Sequence, residues 1–352
     1  MKIAILGAGR IGSALFTLLN EQLEPRHEVA IYDQYNKLDH VVPLTLDVTD
    51  LSALLRVVKT HDIFISALPF QLNLEVAMAV CNAGKIYIDF TEDVQTGKLA
   101  IDYNIRVNHG GTVIPHCGLA PGYVSMLAAA MIQRFDTILN VDIKVGALAL
   151  FDDNPSHYYR TWSTDGVINE YIKPAQIIYK GTLFDVPSLD GYENVQYFHQ
   201  GSFEAFYTSG GIGTLLDTLL KHPKFDKERG CASYKTLRYK GHRDWVLNNL
   251  LPWQSEAYSS KQIERAVRKL NEIPTTQDDK VIIAINVTGY QNGHLSSTPF
   301  LEVFKATKGM TAIEYATANP VVGIVKLLIG MKEEGEYIPP FLLCENLAEL
   351  QA

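Results

Sequence analysis

The stretch Lys2-Ile3-Ala4-Ile5-Leu6-Gly7-Ala8-Gly9-Arg10-Ile11-Gly12, followed one helix later by Val29-Ala30-Ile31-Tyr32-Asp33, decides the fold of this chain. Two apolar runs typical of buried strands flank a glycine-rich turn that opens a helix, and an acid closes the second run. Gly7 permits a tight turn, Gly9 lets backbone N–H groups approach a phosphate, and Gly12 lets the helix pack closely against the strand. This pattern predicts a doubly wound domain that binds a dinucleotide.

The acid at the end of the second run indicates which dinucleotide is bound. Asp33 lies about 20 residues past the last glycine, where its carboxylate can accept hydrogen bonds from both adenosine ribose hydroxyls and repels a 2′-phosphate. The sequence therefore predicts NAD rather than NADP. The full predicted cofactor set is Gly7, Gly9, Arg10, Ile11, Gly12, Asp33, Asp47, Val48, Ala67, Leu68 and Pro69. Two interpretations of Arg10 stay open, contact with a phosphate oxygen or a solvated residue at the helix start.

Composition excludes several classes of protein. The 352-residue chain has a formal net charge of −8 and no run of basic residues, which argues against nucleic-acid binding. No uninterrupted apolar run approaches the roughly 18 residues that span a bilayer, and the first strand leaves no room for a signal peptide. The histidines and the four cysteines lack metal-type spacing, so we expect no metal and a reducing, cytoplasmic location.

The alternation of strands and helices continues through the first third of the chain. Apolar strands are predicted over 41–46, 61–68, 85–90 and 111–115, with helices over 51–58 and 72–83 between them. Continuous apolar strands separated by helices indicate a parallel sheet covered on both faces. Because ligands bind at the carboxyl ends of such strands, three segments should converge on the nicotinamide: 67–69, 91–93 and 116–118.

The pattern changes after Pro121. Segments with strand character are predicted over 141–150, 176–182, 195–199, 235–239 and 280–289, with helices over 166–172 and 260–271. A further helix over 315–331 should carry Pro320 near its first turn. We expect an α/β Rossmann domain over 1–120, completed by a returning segment over 315–345. The second domain, over 121–314, should be an α+β domain for substrate binding and dimerisation.

The second domain also carries four distinctive strings: Gly118-Leu119-Ala120-Pro121-Gly122, Trp162-Ser163 with Gly166, Ser202 to Gly211, and Tyr234 to His242. Together with the N-terminal turn, they resemble the saccharopine dehydrogenase-like family in the same order from residue 1 to about 330. The resemblance implies an NAD-dependent oxidoreductase of amino-acid metabolism, a homodimer, and a small-molecule amino-acid substrate without nucleic-acid or membrane partners.

Three departures distinguish branches of that family. Saccharopine reductases typically have an Asp in the segment matching 118–122, a Cys in the strand matching 144–146, and a saccharopine-gripping Arg near position 210. This chain has Ala120, Val145 and Gly210 at these places. An unpaired substrate carboxylate costs about 1–3 kcal/mol or more. The changes match the lysine 6-dehydrogenase branch of the family.

That branch implies oxidative deamination of L-lysine at its ε-carbon. Hydride passes to NAD, and water hydrolyses the resulting imine to a semialdehyde that cyclises, with release of ammonia. The reaction requires a deprotonated ε-amine, and therefore a base or an alkaline medium, and an anchor for the carboxylate. The alternatives are a saccharopine or opine-type reductase of a secondary amine, and a non-catalytic NAD-binding regulator.

Three residues are candidates for the catalytic roles. Arg238 offers a planar fork for the substrate carboxylate, or forms a structural salt bridge. His116 follows a predicted strand and can shuttle a proton, or caps that strand. Glu204 lies among aromatic residues that raise its pKa, so it is a candidate base or ammonium acceptor, or a structural acid paired with Arg238 or Lys235.

Five further residues are candidates for lining the substrate pocket: Glu92, Tyr123, Trp162, Thr236 and His242. Glu92 offers attraction for a cationic substrate, or belongs to a solvated loop. Trp162 offers a pocket wall, although a buried aromatic is more often part of a core. Cys117 follows the same strand as His116, and packing is favoured over a nucleophilic role because the rest of an aldehyde-oxidising pattern is missing.

Overall fold

The computed structural model describes residues 1–35, 41–251 and 258–347. The chain divides into two compact units. The first comprises Met1–Ala129 and the described residues from Glu314 onward, and the second comprises Ala130–Ile313.

The first unit is built on a six-stranded parallel sheet, and this arrangement confirms the predicted Rossmann-type fold. Its strand order is 3-2-1-4-5-6, with the order reversing beside the first strand. The strands are β1 (Lys2–Leu6), β2 (Glu28–Asp33), β3 (Leu44–Thr45), β4 (Ile63–Ser66), β5 (Ile86–Asp89) and β6 (Thr112–Ile114). The helices that accompany them are α1 (Arg10–Gln22), α2 (Leu51–Val58), α3 (Phe70–Asn82), α4 (Val94–Val107) and α5 (Tyr123–Ile132).

The second unit is built on a mixed eight-stranded sheet with a buried cluster on each face. The main strand path is β10-β11-β12-β7-β13-β14, and β8 joins it by pairing with β12 and with β9. The strands are β7 (Thr137–Ala149), β8 (Ala175–Tyr179), β9 (Thr182–Val186), β10 (Glu193–Tyr197), β11 (Gly201–Tyr207), β12 (Cys231–Arg238), β13 (Asp279–Gln291) and β14 (His294–Lys305). The helices are α6 (Thr164–Ile172), α7 (Leu215–Lys221), α8 (His242–Asn249) and α9 (Ser260–Asn271). Val167 of α6, Leu270 of α9 and Phe206 of β11 are fully buried in one cluster.

The C-terminal part of the chain packs on the first unit through α10 (Ala312–Glu333) and α11 (Cys344–Leu347). Between these helices the chain runs beside β6, where the N–H of Val113 donates to Pro340 O at 3.0 Å and the N–H of Leu342 donates to Val113 O at 3.0 Å. The amide of Asn104 on α4 also donates to Pro340 O, at 2.6 Å. These bonds extend the edge of the parallel sheet with a segment that is distant in sequence.

The predicted position of Pro320 is wrong. Pro320 lies in the interior of α10, because the helix begins at Ala312 rather than at Tyr315. The carboxylate of Asp279 causes the earlier start, since it accepts the N–H groups of Ala312 at 2.5 Å and Ile313 at 3.0 Å. A carboxylate at this place satisfies first-turn donors and interacts favourably with the helix dipole.

Several elements were not predicted: β9, β11, β14, α4, α5, α7, α8 and α11. For α4, the sequence signal is interrupted by Gly97, which disfavours a helix interior. A Cβ at Gly97 would lie 2.3 Å from Nε2 of His116, so the glycine is required by the packing of that ring. A distant contact thus explains a residue that local propensity disfavours.

One described helix is long and apolar enough to cross a membrane. Over α10, the mean hydropathy of the best 18-residue window is 1.3, and half of that window is buried inside the fold. The search of the sequence for an uninterrupted apolar run did not find α10, because charged and polar residues interrupt its apolar residues. Since a core helix passes the same test, this single helix is weak evidence for a membrane span.

Helix α2 begins where the sequence predicts, at a cap formed by Asp50. Its side chain accepts hydrogen bonds from Ser52 N at 2.9 Å and Ala53 N at 3.1 Å. The Asp50→Ala variant should lose about 1 kcal/mol of unfolding free energy, because these two donors lose their acceptor. Denaturant unfolding measures the change. The matched control is Asp102→Ala on the exposed face of α4, which should change stability by less than about 0.5 kcal/mol. Equal losses in the two variants would refute the capping role.

Candidate functional site

The glycine-rich turn between β1 and α1 is held by contacts that admit no side chain at two of its glycines. Gly7 has φ +95°, and a Cβ there would lie 2.7 Å from Ala67 O. A Cβ at Gly12 would lie 1.9 Å from Gly7 O. The turn, the first helix and the residue after β4 are therefore packed backbone to backbone. This is the close approach expected of Gly7 and Gly12.

Gly9 differs from Gly7 and Gly12 because no described residue requires it to be glycine. Its φ of −66° is open to any residue, and a Cβ there would meet no described atom within 4 Å. Gly9 is also the N-cap of α1, which receives no side-chain hydrogen bond at this end. A bare helix start with space above it fits a bound phosphate, whose oxygens accept the free N–H groups. The turn therefore fits the pyrophosphate of a dinucleotide.

Asp33 lies where the sequence predicts, at the carboxyl end of β2 beside the turn. One carboxylate oxygen accepts the N–H of Ala8 at 2.8 Å, and the other accepts the N–H of Tyr35 at 2.9 Å. Each oxygen retains a lone pair. The acid is thus fixed by the turn itself, with acceptor capacity left for ribose hydroxyls.

The other predicted cofactor residues lie around the same sheet edge. Ala67, Leu68 and Pro69 follow β4, and the N–H of Ala67 donates to Leu6 O at 2.8 Å. Asp47 is exposed and accepts hydrogen bonds from the N–H and hydroxyl of Thr49, which lower the pKa of Asp47. The remaining two, Ile11 and Val48, are half-buried.

Arg10 forms an ion pair in this structure, and both interpretations of the residue stay open. Its Nε lies 2.6 Å from a carboxylate oxygen of Glu314, which belongs to α10 in the same compact unit. The Arg10 side chain is 44% exposed and that of Glu314 is 15% exposed. The partner is 304 residues away in sequence, so no local pattern indicates it.

His116 is held in a buried polar network at the ends of β5 and β6. Its N–H donates to Asp89 Oδ1 at 3.1 Å, and its Nδ1 lies 2.7 Å from Thr91 O. Since a carbonyl only accepts, Nδ1 carries the proton. Within the described chain Nε2 is buried without a partner and faces Gly97. This geometry favours a histidine that ties two strand ends together over a proton shuttle.

The residues near His116 have structural contacts of their own. Cys117 is fully buried with its Sγ 3.6 Å from the Sγ of Cys344, and burial raises the pKa of the Cys117 thiol well above its usual value. A protonated buried thiol agrees with packing rather than a nucleophilic role. Glu92 and Tyr123 are half-buried, and Tyr123 begins α5.

Glu204 serves as a cap for α8. Its two carboxylate oxygens accept the N–H of Gly241 at 2.9 Å and the N–H of Arg243 at 2.6 Å. Burial raises the pKa of Glu204, and the two backbone hydrogen bonds oppose that shift. The structural interpretation is therefore favoured for this acid. The carboxylate oxygens of Glu204 bond to backbone N–H groups. The predicted pairing with Arg238 or Lys235 is therefore not the arrangement that the structure shows.

Arg238 lies at the end of β12 with 2% of its surface exposed. Its Nε donates to the hydroxyl of Tyr171 at 3.1 Å, Nη1 donates to Leu237 O at 3.0 Å, and the guanidinium carbon lies 5.1 Å from the ring centre of Tyr158. Burial lowers the pKa of Arg238, but Tyr171, Tyr158 and Glu170 together raise it above its usual value. The guanidinium therefore keeps its charge inside the fold.

His242 joins the same cluster. Its Nε2 lies 2.9 Å from the hydroxyl of Tyr171, and its Nδ1 lies 2.8 Å from Ser156 O. Burial, followed by the charge of Arg238, lowers the pKa of His242 to about 3. His242 is therefore a neutral hydrogen-bonding group near neutral pH.

The two remaining predicted residues of the second unit occupy different environments. The hydroxyl of Thr236 lies 2.7 Å from that of Thr208, and both side chains are buried. Trp162 is partly buried and packs against the α6 and α9 cluster, in agreement with its core interpretation. Thr236 shares one face of β12 with Arg238, because the two are separated by two positions in a strand.

Sequence reasoning missed Glu170 and Tyr171, which α6 places beside Arg238. A usable signal existed, since Val167, Glu170 and Tyr171 have the i, i+3, i+4 spacing of one helix face. Val167 is fully buried, so the polar residues on its face are carried inward as well. Among the described residues, no group of three or more His, Cys, Asp or Glu side chains is arranged to hold a metal.

The turn, the parallel sheet and the strand-end residues define the first unit as a pyridine-nucleotide-binding domain. Comparison with protein families agrees: residues 3–110 match the saccharopine dehydrogenase NADP binding domain. Residues 118–342 match the saccharopine dehydrogenase C-terminal domain, which covers more than half of the chain. The protein belongs to the saccharopine dehydrogenase family.

Curated relatives are longer than this chain. The mitochondrial alpha-aminoadipic semialdehyde synthase of Mus musculus is 24% identical over 267 residues, which are 68% of this chain and 27% of that protein. The NADP(+), L-glutamate-forming saccharopine dehydrogenase of Schizosaccharomyces pombe is 25% identical over 258 residues, 69% of this chain and 56% of that protein. The matched region thus spans about a quarter of the first relative and about half of the second.

Solved structures share the fold. The L-Glu-forming saccharopine dehydrogenase of Saccharomyces cerevisiae has a TM-score of 0.73 at 15% identity, covering 99% of this chain and 95% of that one. The homospermidine synthase of Legionella pneumophila, solved with NAD, has a TM-score of 0.64 at 14% identity, covering 99% of this chain and 89% of that one. At these identities the likeness establishes the fold alone.

The two glycines of the turn give a matched pair of variants. Gly12→Ala should lower the unfolding free energy by about 2 kcal/mol or more and abolish nucleotide binding, because its Cβ meets the Gly7 carbonyl. Gly9→Ala should stay close to the parent in stability, within about 1 kcal/mol, and still weaken nucleotide binding at least tenfold. Calorimetry of unfolding and titration with NAD measure both effects. Full nucleotide affinity in Gly9→Ala would contradict the assignment of the phosphate site.

Proposed function

We propose that the protein is an oxidoreductase that transfers hydride between a pyridine nucleotide and the amine of an amino acid. The observation that carries this proposal is the turn at Gly9, where the backbone and the packing both admit a side chain and the sequence has none. Membership of the saccharopine dehydrogenase family supports the redox class. When bound, the nucleotide supplies the hydride acceptor or donor.

NAD is the proposed cofactor. The matched family description and the name of the fission yeast relative both refer to NADP, and the solved homospermidine synthase holds NAD. Asp33 favours NAD in this chain, because its carboxylate is fixed beside the turn by Ala8 and Tyr35 and would repel a 2′-phosphate.

L-Lysine, oxidised at its ε-carbon, is the proposed substrate. Support comes from Gly210, which has φ +85°. This left-handed conformation strains any L residue, so the backbone does not favour the arginine that saccharopine reductases resembling this chain have near here. Ala120 and Val145 also replace the polar residues of those reductases. A substrate that is smaller than saccharopine and has one α-carboxylate fits Ala120, Val145 and Gly210.

Arg238 is the proposed partner of that carboxylate. Its guanidinium stays charged and is held by Tyr171, the Leu237 carbonyl and the ring of Tyr158. A guanidinium that is already held in place binds a carboxylate with less loss of side-chain entropy than a mobile guanidinium does.

The candidate bases are engaged in structural contacts, so the ε-amine should enter in its neutral form. Glu204 caps α8, His116 bridges two strand ends, and the pKa of His242 is about 3. Turnover should therefore rise with pH toward the amine pKa of about 10.4. The water that hydrolyses the imine then comes from solvent.

A second candidate is a reductase that makes or breaks a secondary amine, favoured by the names of the relatives in the saccharopine group. The test is NADH or NADPH formation at alkaline pH with L-lysine, saccharopine, ornithine or no amine. Turnover of lysine with NAD and release of ammonia supports the first function, and turnover of saccharopine alone supports the second. Nucleotide binding without turnover would indicate a non-catalytic regulator.

Replacement of Asp33 tests the choice of nucleotide. In Asp33→Ser the preference for NAD over NADP should fall by roughly 10- to 100-fold, because the charge that bonds ribose hydroxyls and repels a 2′-phosphate is gone. Asp33→Asn is the matched control for structure, since its amide oxygen can still accept the Ala8 N–H while the charge is lost. The measurement is kcat/KM for each nucleotide. A preference unchanged in both variants would exclude Asp33 from ribose recognition.

Replacement of Arg238 tests the carboxylate anchor. Arg238→Ala should reduce kcat/KM for L-lysine by roughly 10- to 150-fold, with NAD affinity unchanged, because a charged hydrogen-bonding partner is worth about 1.5–3 kcal/mol. Steady-state kinetics and NAD titration of the same preparation separate the two effects. An Arg238→Ala enzyme with the parent's kcat/KM would remove Arg238 from the site.

A further inference from the structure

A directed chain of hydrogen bonds ends on the guanidinium of Arg238. The Ser156 carbonyl can only accept, so Nδ1 of His242 donates to it at 2.8 Å. In the neutral ring Nε2 is then an acceptor, and the Tyr171 hydroxyl donates to it at 2.9 Å. The Tyr171 oxygen in turn accepts Nε–H of Arg238 at 3.1 Å. The donor and the acceptor of each of these three hydrogen bonds are therefore fixed.

We propose that Tyr171 and His242 are positioning residues that fix the guanidinium of Arg238 for the carboxylate of an amino-acid substrate. This inference rests on the proposed function, because it assigns a role to groups that support Arg238. The sequence gives no role to Tyr171, and His242 is expected there only as a residue lining the pocket.

The remaining contacts of Arg238 hold its guanidinium in one orientation. Nε is bonded to Tyr171, Nη1 is bonded to the Leu237 carbonyl, and the ring of Tyr158 lies beneath the plane. The hydrogen bonds of Arg238 to Tyr171 and Leu237 use Nε and Nη1, and Glu170 places a negative charge nearby. An acceptor that reaches Nη2 therefore meets a guanidinium whose orientation is already set, and less entropy is lost on binding.

The network is built for orientation rather than for proton transfer. Burial raises the pKa of Tyr171 above its usual value, and burial with the charge of Arg238 lowers the pKa of His242 to about 3. Both groups keep one protonation state across the working pH range. Groups whose pKa values lie this far from the working pH are poorly matched to general acid–base catalysis.

The cap by Glu204 extends the chain of support. Its carboxylate binds the N–H groups of Gly241 and Arg243, the residues on either side of His242. The backbone that carries the imidazole is thus fixed on both sides. Glu204 lies opposite Arg238 in the pairing of β11 with β12, and its role in this arrangement is to set the position of His242.

Two amines that differ in one carboxylate test the proposal. L-Lysine carries the α-carboxylate and 1,5-diaminopentane lacks it, while the reacting CH₂–NH₂ group is the same. In Tyr171→Phe the ratio of kcat/KM for L-lysine to that for 1,5-diaminopentane should fall about tenfold, mainly through KM for lysine. The matched control is Tyr87→Phe in the nucleotide-binding unit, which removes the hydroxyl of another buried tyrosine, and its ratio should stay within about threefold of the parent. General damage to the fold lowers both rates and leaves the ratio unchanged.

A readout independent of turnover separates failure of this proposal from failure of the proposed function. The Nε–H signal of Arg238 in ¹⁵N NMR, assigned by its loss in Arg238→Lys, should exchange slowly in the parent and at least tenfold faster in Tyr171→Phe. Faster exchange with an unchanged substrate ratio, or slow exchange in Tyr171→Phe, would overturn the positioning role. If the parent oxidises neither amine, the proposed substrate fails. The network is then tested by titrating the NAD-loaded protein with L-norleucine, where Tyr171→Phe should weaken binding about tenfold and an equal affinity would overturn the proposal.

Discussion

The close approach of α1 to the turn after β1 is the constraint on which the nucleotide-binding unit depends. A Cβ on Gly12 would lie 1.9 Å from the Gly7 carbonyl, so the helix reaches its position only with glycine at this place. The hydroxyl of Ser13 then donates to Ala8 O at 2.9 Å, and the carboxylate of Asp33 holds the Ala8 N–H from the other side. The start of α1 is thereby fixed over the strand end, and its N–H groups are left to face a ligand.

In the second unit the corresponding constraint is a buried positive charge. A guanidinium removed from water requires partners for its N–H groups, and Arg238 finds them in a tyrosine hydroxyl, a backbone carbonyl and an aromatic face. Glu170 adds a negative charge nearby. The polar residues on this face of the sheet are therefore explained together, as the environment that keeps one cation charged and oriented.

Elements whose position depends on neighbouring residues in the sequence were predicted correctly. The parallel strands of the first unit and the start of α2 follow from runs of a few residues, and they are where the sequence places them. Partners distant in sequence determined the rest. Glu204 accepts hydrogen bonds from N–H groups 37 and 39 residues away, and Tyr171 bonds to His242 at a separation of 71 residues. The sequence around such a residue can indicate that it is buried, but it does not identify the residue to which it bonds. Strands β11 and β14 were missed for a related reason. Exposure does not alternate along β11, and β14 contains Pro299, which disfavours a strand, so the pairing of each is set by its neighbours.

We propose that hydride leaves the ε-carbon of an amino acid whose carboxylate is held by Arg238. The most direct measurement uses L-lysine deuterated at C6 and, separately, at C2, with NAD and the parent protein at alkaline pH. Deuterium from C6 should appear in the reduced nicotinamide, accompanied by release of ammonia. Transfer of deuterium from C2 would contradict the account, because it would place the α-carbon, and not the ε-carbon, at the nucleotide.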